Sequence, residues 1–241
     1  MSGNDATAGA TDPAPPAPAE PAAVSAGRLA ELLGDQHPPA AAVPQESFAL
    51  VEAVRRLVEA VVMTDLGPSE RAEATRRVDA VTEALSAARR DEALLLVRHP
   101  DGRVESLAQA AAGRLNPQAL PIEWVQRPTE PPPGSPVEPV EVLARCTFTA
   151  AHGGSPGRVH GGVLALALDE VTGVAVRAAG ASGMTVALEL SLRGAVPTGR
   201  PVDIAARYTE GEGRKAWATG EVLVDGEAVA TARSLYVMER R

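Results

Sequence analysis

The stretch HGGVLALALDEVTGVAVRAA, residues His160 to Ala179, decides how the rest of the chain is read. From Val163 onward it is apolar almost all round, interrupted chiefly by the adjacent acids Asp169 and Glu170. That pattern marks a helix buried on most sides rather than one lying on a surface. A strongly curved sheet wrapped around it would supply such surroundings, and the flanking residues have the two-residue period of strands. Ahead of the helix, in VEVLARCTFT, Val140, Val142, Ala144, Cys146 and Phe148 alternate with mostly polar neighbours. Behind it, Val186, Leu188, Leu190 and Leu192 share one face of TVALELSLR, and Val202, Ile204, Ala206 and Tyr208 share one face of VDIAARYT. Two further strands, KAWATGEVLV and EAVATARSLYVM, flank Asp225-Gly226, a strong hairpin signal. Strand, loop, helix and four strands with short turns predict an α+β domain over 139–241, an antiparallel sheet holding one long helix.

The two acids need an explanation, because an unpaired charge inside an apolar helix is costly and must reach water, a partner or a substrate. Successive helical residues point roughly 100° apart, so the two acids do not share a role. The start of the helix supplies complementary chemistry. Gly161 and Gly162 leave backbone N–H groups unscreened by side chains, at the positive end of the helix dipole. Such a site suits an oxyanion forming on an attacked carbonyl, where one donor is worth ~10²–10³ in rate. Asp169, however, lies eight residues beyond Gly161, about 12 Å along the axis at ~1.5 Å per residue. One helix cannot bring both to one carbonyl, whereas two antiparallel helices from two subunits can. The spacing therefore predicts a symmetric homodimer with two composite sites.

His-Gly-Gly also occurs at His152-Gly153-Gly154. Ser155-Pro156-Gly157 follows it and makes a turn, so His152 reads as a loop residue that can line the pocket. His160 has no acid nearby in sequence to orient it as a base, and its expected role is to hydrogen-bond to backbone at the turn into the helix.

The remainder of the chain is read more coarsely. Residues 1–26 are Ala- and Pro-rich with few large apolar side chains, the composition of a disordered tail. Residues 27–98 read as a helical extension. In ESFALVEAVRRLVEAVV, Leu50, Val51, Val54, Leu57, Val58, Val61 and Val62 follow the helical period, and Gly67-Pro68 breaks it. Ser69 is the expected cap of a second helix running to about Ala88, and DEALLLV is left open between helix and strand. Residues 99–138 read as irregular, with RPTEPPPGSPVEP an extended linker. A net charge of −8 argues against a nucleic-acid binder relying on a basic face. The single Cys146 forms no internal disulfide, and no apolar run approaches the ~20 residues of a membrane span. The N-terminus has no signal-like basic and apolar regions, so a soluble cytoplasmic protein is expected. The four scattered histidines do not suggest zinc, GxSxG is absent, and no cofactor is expected.

GRVHGGVLALALDEVTG, TVALELSLRGAVPTGRPVDIAAR and GEAVATARSLYVMER together resemble the hotdog-fold thioesterases, most of all the PaaI-like acyl-CoA thioesterases. The resemblance covers about residues 139–239 and includes the His-Gly-Gly-x6-Asp spacing and Pro197-x-Gly199. It implies hydrolysis of an acyl-CoA thioester to a free acid and CoA. It implies that Asp169, supplied by the opposite subunit, is general base or nucleophile, and that the Gly161 amide holds the thioester carbonyl with Gly162 in support. Thr185 is the match to a Ser or Thr that helps place water. Many relatives carry Asn or Gln where this chain has Gly154, so the site works without that amide, or with His152 in its place, or slowly. CoA phosphates call for cations, and Arg158 stands beside the motif. Arg193, Arg200, Arg214 and Lys215 complete the candidates. A hotdog that binds acyl-CoA without hydrolysing it, a hydratase, and a thioesterase acting on a carrier-bound acyl chain are the alternatives. The choice between dimer and tetramer stays open.

Overall fold

The computed structural model describes residues 37–90, 96–100, 103–132 and 135–238. The Ala/Pro-rich tail and the first residues of DEALLLV lie outside these. Two helices come first, α1 (Gln45–Met63) and α2 (Pro68–Ser86). α1 buries Val51, while no residue of α2 is buried. The start of α2 differs from expectation. Gly67, not Ser69, is the cap, and its N–H donates to Glu70 Oε2 at 3.0 Å. Pro68 then occupies the first helical position, where its missing N–H costs nothing.

A short hairpin follows, β1 (Leu96–Arg98) and β2 (Val104–Ser106), then β3 (Ile122–Gln126). The described end of DEALLLV is thus a strand, one of the two readings its sequence leaves open. β2 and β3 both fall in 99–138, expected to be irregular. They are too short for alternation to register, and Pro121 and Pro128 bracket β3. A satellite core of Val43, Val97 and Leu107, with Phe48 against it, joins this region to α1.

The main sheet begins at β3 rather than at Pro139. It continues through β4 (Glu141–Thr147), β7 (Gly183–Leu192), β8 (Pro201–Glu212), β9 (Lys215–Val224) and β10 (Glu227–Met238). The order is β3-β4-β8-β9-β10-β7, every neighbouring pair antiparallel. Asp225 and Gly226 both have positive φ, 52° and 85°, as a two-residue turn matching strand twist requires. The buried helix is α3 (Gly161–Ala178), packed on β4, β7, β8, β9 and β10. Phe148, Leu168, Val171, Val174, Ile204 and Val222 form the centre of the core. Small residues let the helix approach closely. A Cβ at Gly220 would stand 2.9 Å from Thr172 Cγ2 and 3.1 Å from Leu168 Cδ2.

One irregularity re-aims side chains. β7 pairs with β10 in the register Leu188↔Ser234 and Ala187↔Leu235, then skips Val186, so that Thr185 opposes Tyr236. A bulge at Val186 therefore reverses the alternation. The expectation that Val186 shares a face with Leu188 and Leu190 is corrected: Val186 is 57 % exposed and off that register, while Thr185, itself exposed, turns toward the helix and bonds Asp169. β7 is an edge strand, paired on β10 alone among the described residues. No helix among the described residues is long and apolar enough to cross a membrane.

Candidate active site

The two His-Gly-Gly copies are physically joined. Gly153–Ser155 and Arg158–Val159 form the short strands β5 and β6 of a hairpin, turned at Gly157 with φ 69°. The His160 N–H donates to the His152 carbonyl at 2.9 Å. Two bonds tie the hairpin to the loop between β7 and β8, Val159 N–H to Val196 O and Thr198 N–H to Gly157 O, and Gly199 N–H to Phe148 O ties that loop to the end of β4. The chain therefore enters α3 along a fixed path.

His160 is the N-cap of α3, and its Nδ1 accepts from the Gly162 N–H at 3.0 Å. The imidazole spends the Gly162 amide on the cap. The Gly161 amide has no partner among the described residues, so it is the donor left for a ligand. A cleft of about 550 Å³ opens beside it, lined by Ser155, Arg158, Gly161, Leu164, Leu192 and Arg193 among others. A Cβ at Gly161 would stand 2.8 Å from Leu192 Cδ1, the far end of an exposed side chain that is free to turn aside.

Asp169 is not in that cleft. It sits midway along α3, half-buried, with its Oδ1 accepting from the Thr185 hydroxyl at 2.9 Å. Its second carboxylate oxygen has no partner among the described residues. Glu170 points elsewhere: Gln109 Nε2 donates to it at 2.8 Å, and Arg177 Nη2 lies 3.7 Å away. Neighbouring acids thus have separate environments, one tied into the fold and one with a free oxygen. The site residues expected from sequence fall into two groups within one chain. Gly161, Arg158 and Arg193 share the cleft, while Asp169 and Thr185 meet about 12 Å along the helix at ~1.5 Å per residue.

The fold has counterparts among solved structures. A thioesterase superfamily protein is similar to the chain at 26 % identity and a TM-score of 0.67, over 83 % of this chain and 93 % of its own. The chain shares the hotdog fold of this thioesterase superfamily protein. Zebrafish thioesterase superfamily member 2 overlaps at 19 % identity and TM-score 0.44, covering 55 % of this chain and 91 % of its own. A hypothetical thioesterase from Streptococcus pneumoniae, solved with coenzyme A, overlaps at 16 % identity and TM-score 0.42, covering 50 % of this chain and 90 % of its own. No family model and no curated protein matches the sequence.

Two features around the motif carry measurable consequences. At Gly154 a Cβ would stand 2.8 Å from His160 Cα and 3.0 Å from its Cβ and Cδ2. The glycine therefore makes room for the capping histidine. Gly154→Asn is expected to displace His160 and lose a cap worth ~1 kcal/mol. A lower denaturant midpoint without any gain in thiol release would be the measured result.

His152 is engaged by the fold rather than left free in a loop. Its Nδ1 accepts from the Thr149 N–H at 2.9 Å, and its ring packs edge-on against Phe148 at 5.8 Å. Burial holds its pKa below the usual imidazole value, with Glu59 of α1 pulling upward and Arg55 downward. The unfolded chain therefore takes up this proton at higher pH than the folded one. The stability from His152 is full above about 6.5 and lost as pH falls through the folded value. The thermal midpoint should drop over that window, and His152→Gln should flatten the drop.

Cys146 offers no competing chemistry. It is buried, which pushes its thiol up to about 12, so no thiolate is available at neutral pH. No cluster of potential metal ligands occurs among the described residues. Sequence reasoning missed the residues behind Asp169. Thr172, Ser234 and Tyr236 are buried hydroxyls that meet beside it, yet 62 residues separate Thr172 from Ser234 and 64 separate it from Tyr236. No local motif announces them.

Proposed function

We propose that the chain hydrolyses an acyl-CoA thioester, or the equivalent thioester on a carrier, to the free acid and thiol. The reading rests on one observation above all: a free Gly161 amide at the start of α3 and a hydroxyl-bonded Asp169 midway along the same helix. Neither group alone can turn over a thioester, and their separation assigns them to different sites in one chain. In a homodimer with antiparallel α3 helices, Gly161 of one protomer faces Asp169 of the other.

Two features support that pairing. β7 is a ten-residue edge strand exposing Met184, Val186 and Leu192, the kind of apolar edge that natural sheets cover or pair. The face of α3 bearing Asp169 also keeps Val163 and Leu166 only half-buried.

In the composite site the thioester carbonyl accepts from the Gly161 N–H. The Asp169 carboxylate either takes a proton from the attacking water or attacks the carbonyl itself, while Thr185 fixes one of its oxygens. The tetrahedral oxyanion then collapses and expels the thiolate, leaving the free acid when water attacked, or a mixed anhydride on Asp169 that water then hydrolyses to the acid and the regenerated carboxylate. Arg158 and Arg193, both exposed on the cleft, suit the phosphates of CoA. Thiol release from short, long and aryl acyl-CoAs tests the reading. Turnover of at least one series is expected. Tight acyl-CoA binding with no release from any would make the protein a binding module.

A further inference from the structure

Thr172 stands one helical turn past Asp169, wholly buried in the apolar helix. A buried hydroxyl without partners is costly, so its partners carry the meaning. It lies 2.7 Å from the Leu168 carbonyl, 3.1 Å from the Asp169 carbonyl, 2.9 Å from Ser234 Oγ and 2.8 Å from Tyr236 OH. A hydroxyl has one proton and two lone pairs, and carbonyls only accept. The Thr172 proton therefore goes to the helix backbone, and Ser234 donates to Thr172. The Tyr236 proton reaches either Thr172 or the Asp169 carbonyl, 3.2 Å from the phenol.

The network ends at the reacting group. The bulge at Val186 sets Thr185 directly across from Tyr236, and the same Thr185 donates to Asp169 Oδ1. Asp169 is thus approached from two sides, its backbone carbonyl by the Thr172 and Tyr236 hydroxyls and its carboxylate by the threonine opposite Tyr236. Gly220 keeps the space under Thr172 open, since any side chain there would press on its methyl.

Resting on the reading of Asp169 as the reacting acid, we propose that Tyr236 is a positioning residue for the hydrolysis. Its hydroxyl, with Thr172, locks the rotamer in which Thr185 takes one oxygen of Asp169 and the other is left free for water or substrate. Tyr236 touches no reacting atom and acts through Thr185 and Asp169.

Tyr236→Phe keeps the buried ring and removes only the hydroxyl. It should lower kcat roughly tenfold, as expected for losing one hydrogen bond to an oriented group, with KM within about twofold. Val222→Ala, equally buried in the core but making none of the network's hydrogen bonds, should lose stability with kcat within about twofold. A wild-type kcat in Tyr236→Phe would overturn the proposal. So would a loss that Val222→Ala reproduces at matched loss of thermal midpoint. A crystal structure of Tyr236→Phe reads the same device without substrate. The Asp169–Thr185 contact is expected to break or to occupy two rotamers, and an unchanged contact overturns the proposal even if the wild type releases no thiol. An inactive wild type with a disturbed contact would instead defeat the thioesterase reading alone.

Discussion

Asp169→Asn should release thiol ~10²–10⁴-fold more slowly than the wild type, the range that a positioned acid or base contributes. The substitution is nearly isosteric. Its side-chain oxygen can still accept from Thr185, and the Asp169 carbonyl still meets Tyr236 and Thr172. What disappears is the negative charge, hence both the proton acceptor and the nucleophile. Expression and thermal midpoint should therefore stay close to wild type while turnover collapses. The neighbouring acid is the internal comparison. Glu170→Gln keeps an acceptor for Gln109 and loses only a 3.7 Å pairing with Arg177. It should change turnover by less than about threefold, since such a partly exposed pair contributes little. Undiminished thiol release from Asp169→Asn would remove the proposed mechanism.

The contrast between these neighbouring acids also marks how far the sequence could be read. The buried helix was legible because an apolar run of that length with two charges has few homes, and β9 and β10 have the bounds that their alternation predicts. The hairpin turn at Asp225-Gly226 was legible because few residue pairs tolerate positive φ twice. Side-chain direction on β7 was not, because a bulge depends on the partner strand and leaves no mark in the alternation. For that reason the alternation puts Val186 on one face with Leu188, and only the resemblance points to Thr185. The fate of the Gly162 amide was hidden in a similar way. The glycine pattern says that donors are exposed, but only the path of the hairpin shows that His160 takes one of them. Strands β2 and β3 were missed because three to five residues carry too little periodicity to outweigh the prolines around them.

The second large effect is a recovery rather than a loss. Asp169→Asn and Gly161→Val should each be nearly inactive alone, the latter because its branched side chain enters the cleft beside the amide that would hold the carbonyl. Co-expressed, they should regain about a quarter of wild-type activity. Random pairing makes about half of the dimers mixed, and each mixed dimer holds one site with both native groups and one with neither. Purifying the mixed dimer through two different tags should raise the recovery to about half. A site built within one chain predicts none, because no chain in the mixture carries both native residues. The experiment thereby isolates the distance argument from the chemistry, since Asp169→Asn alone would be inactive under either geometry. It also tests the exposed edge of β7. If that strand forms the pairing surface, a charge placed at Val186, which points away from the helix, should abolish the recovery by keeping the protomers apart while leaving each one folded.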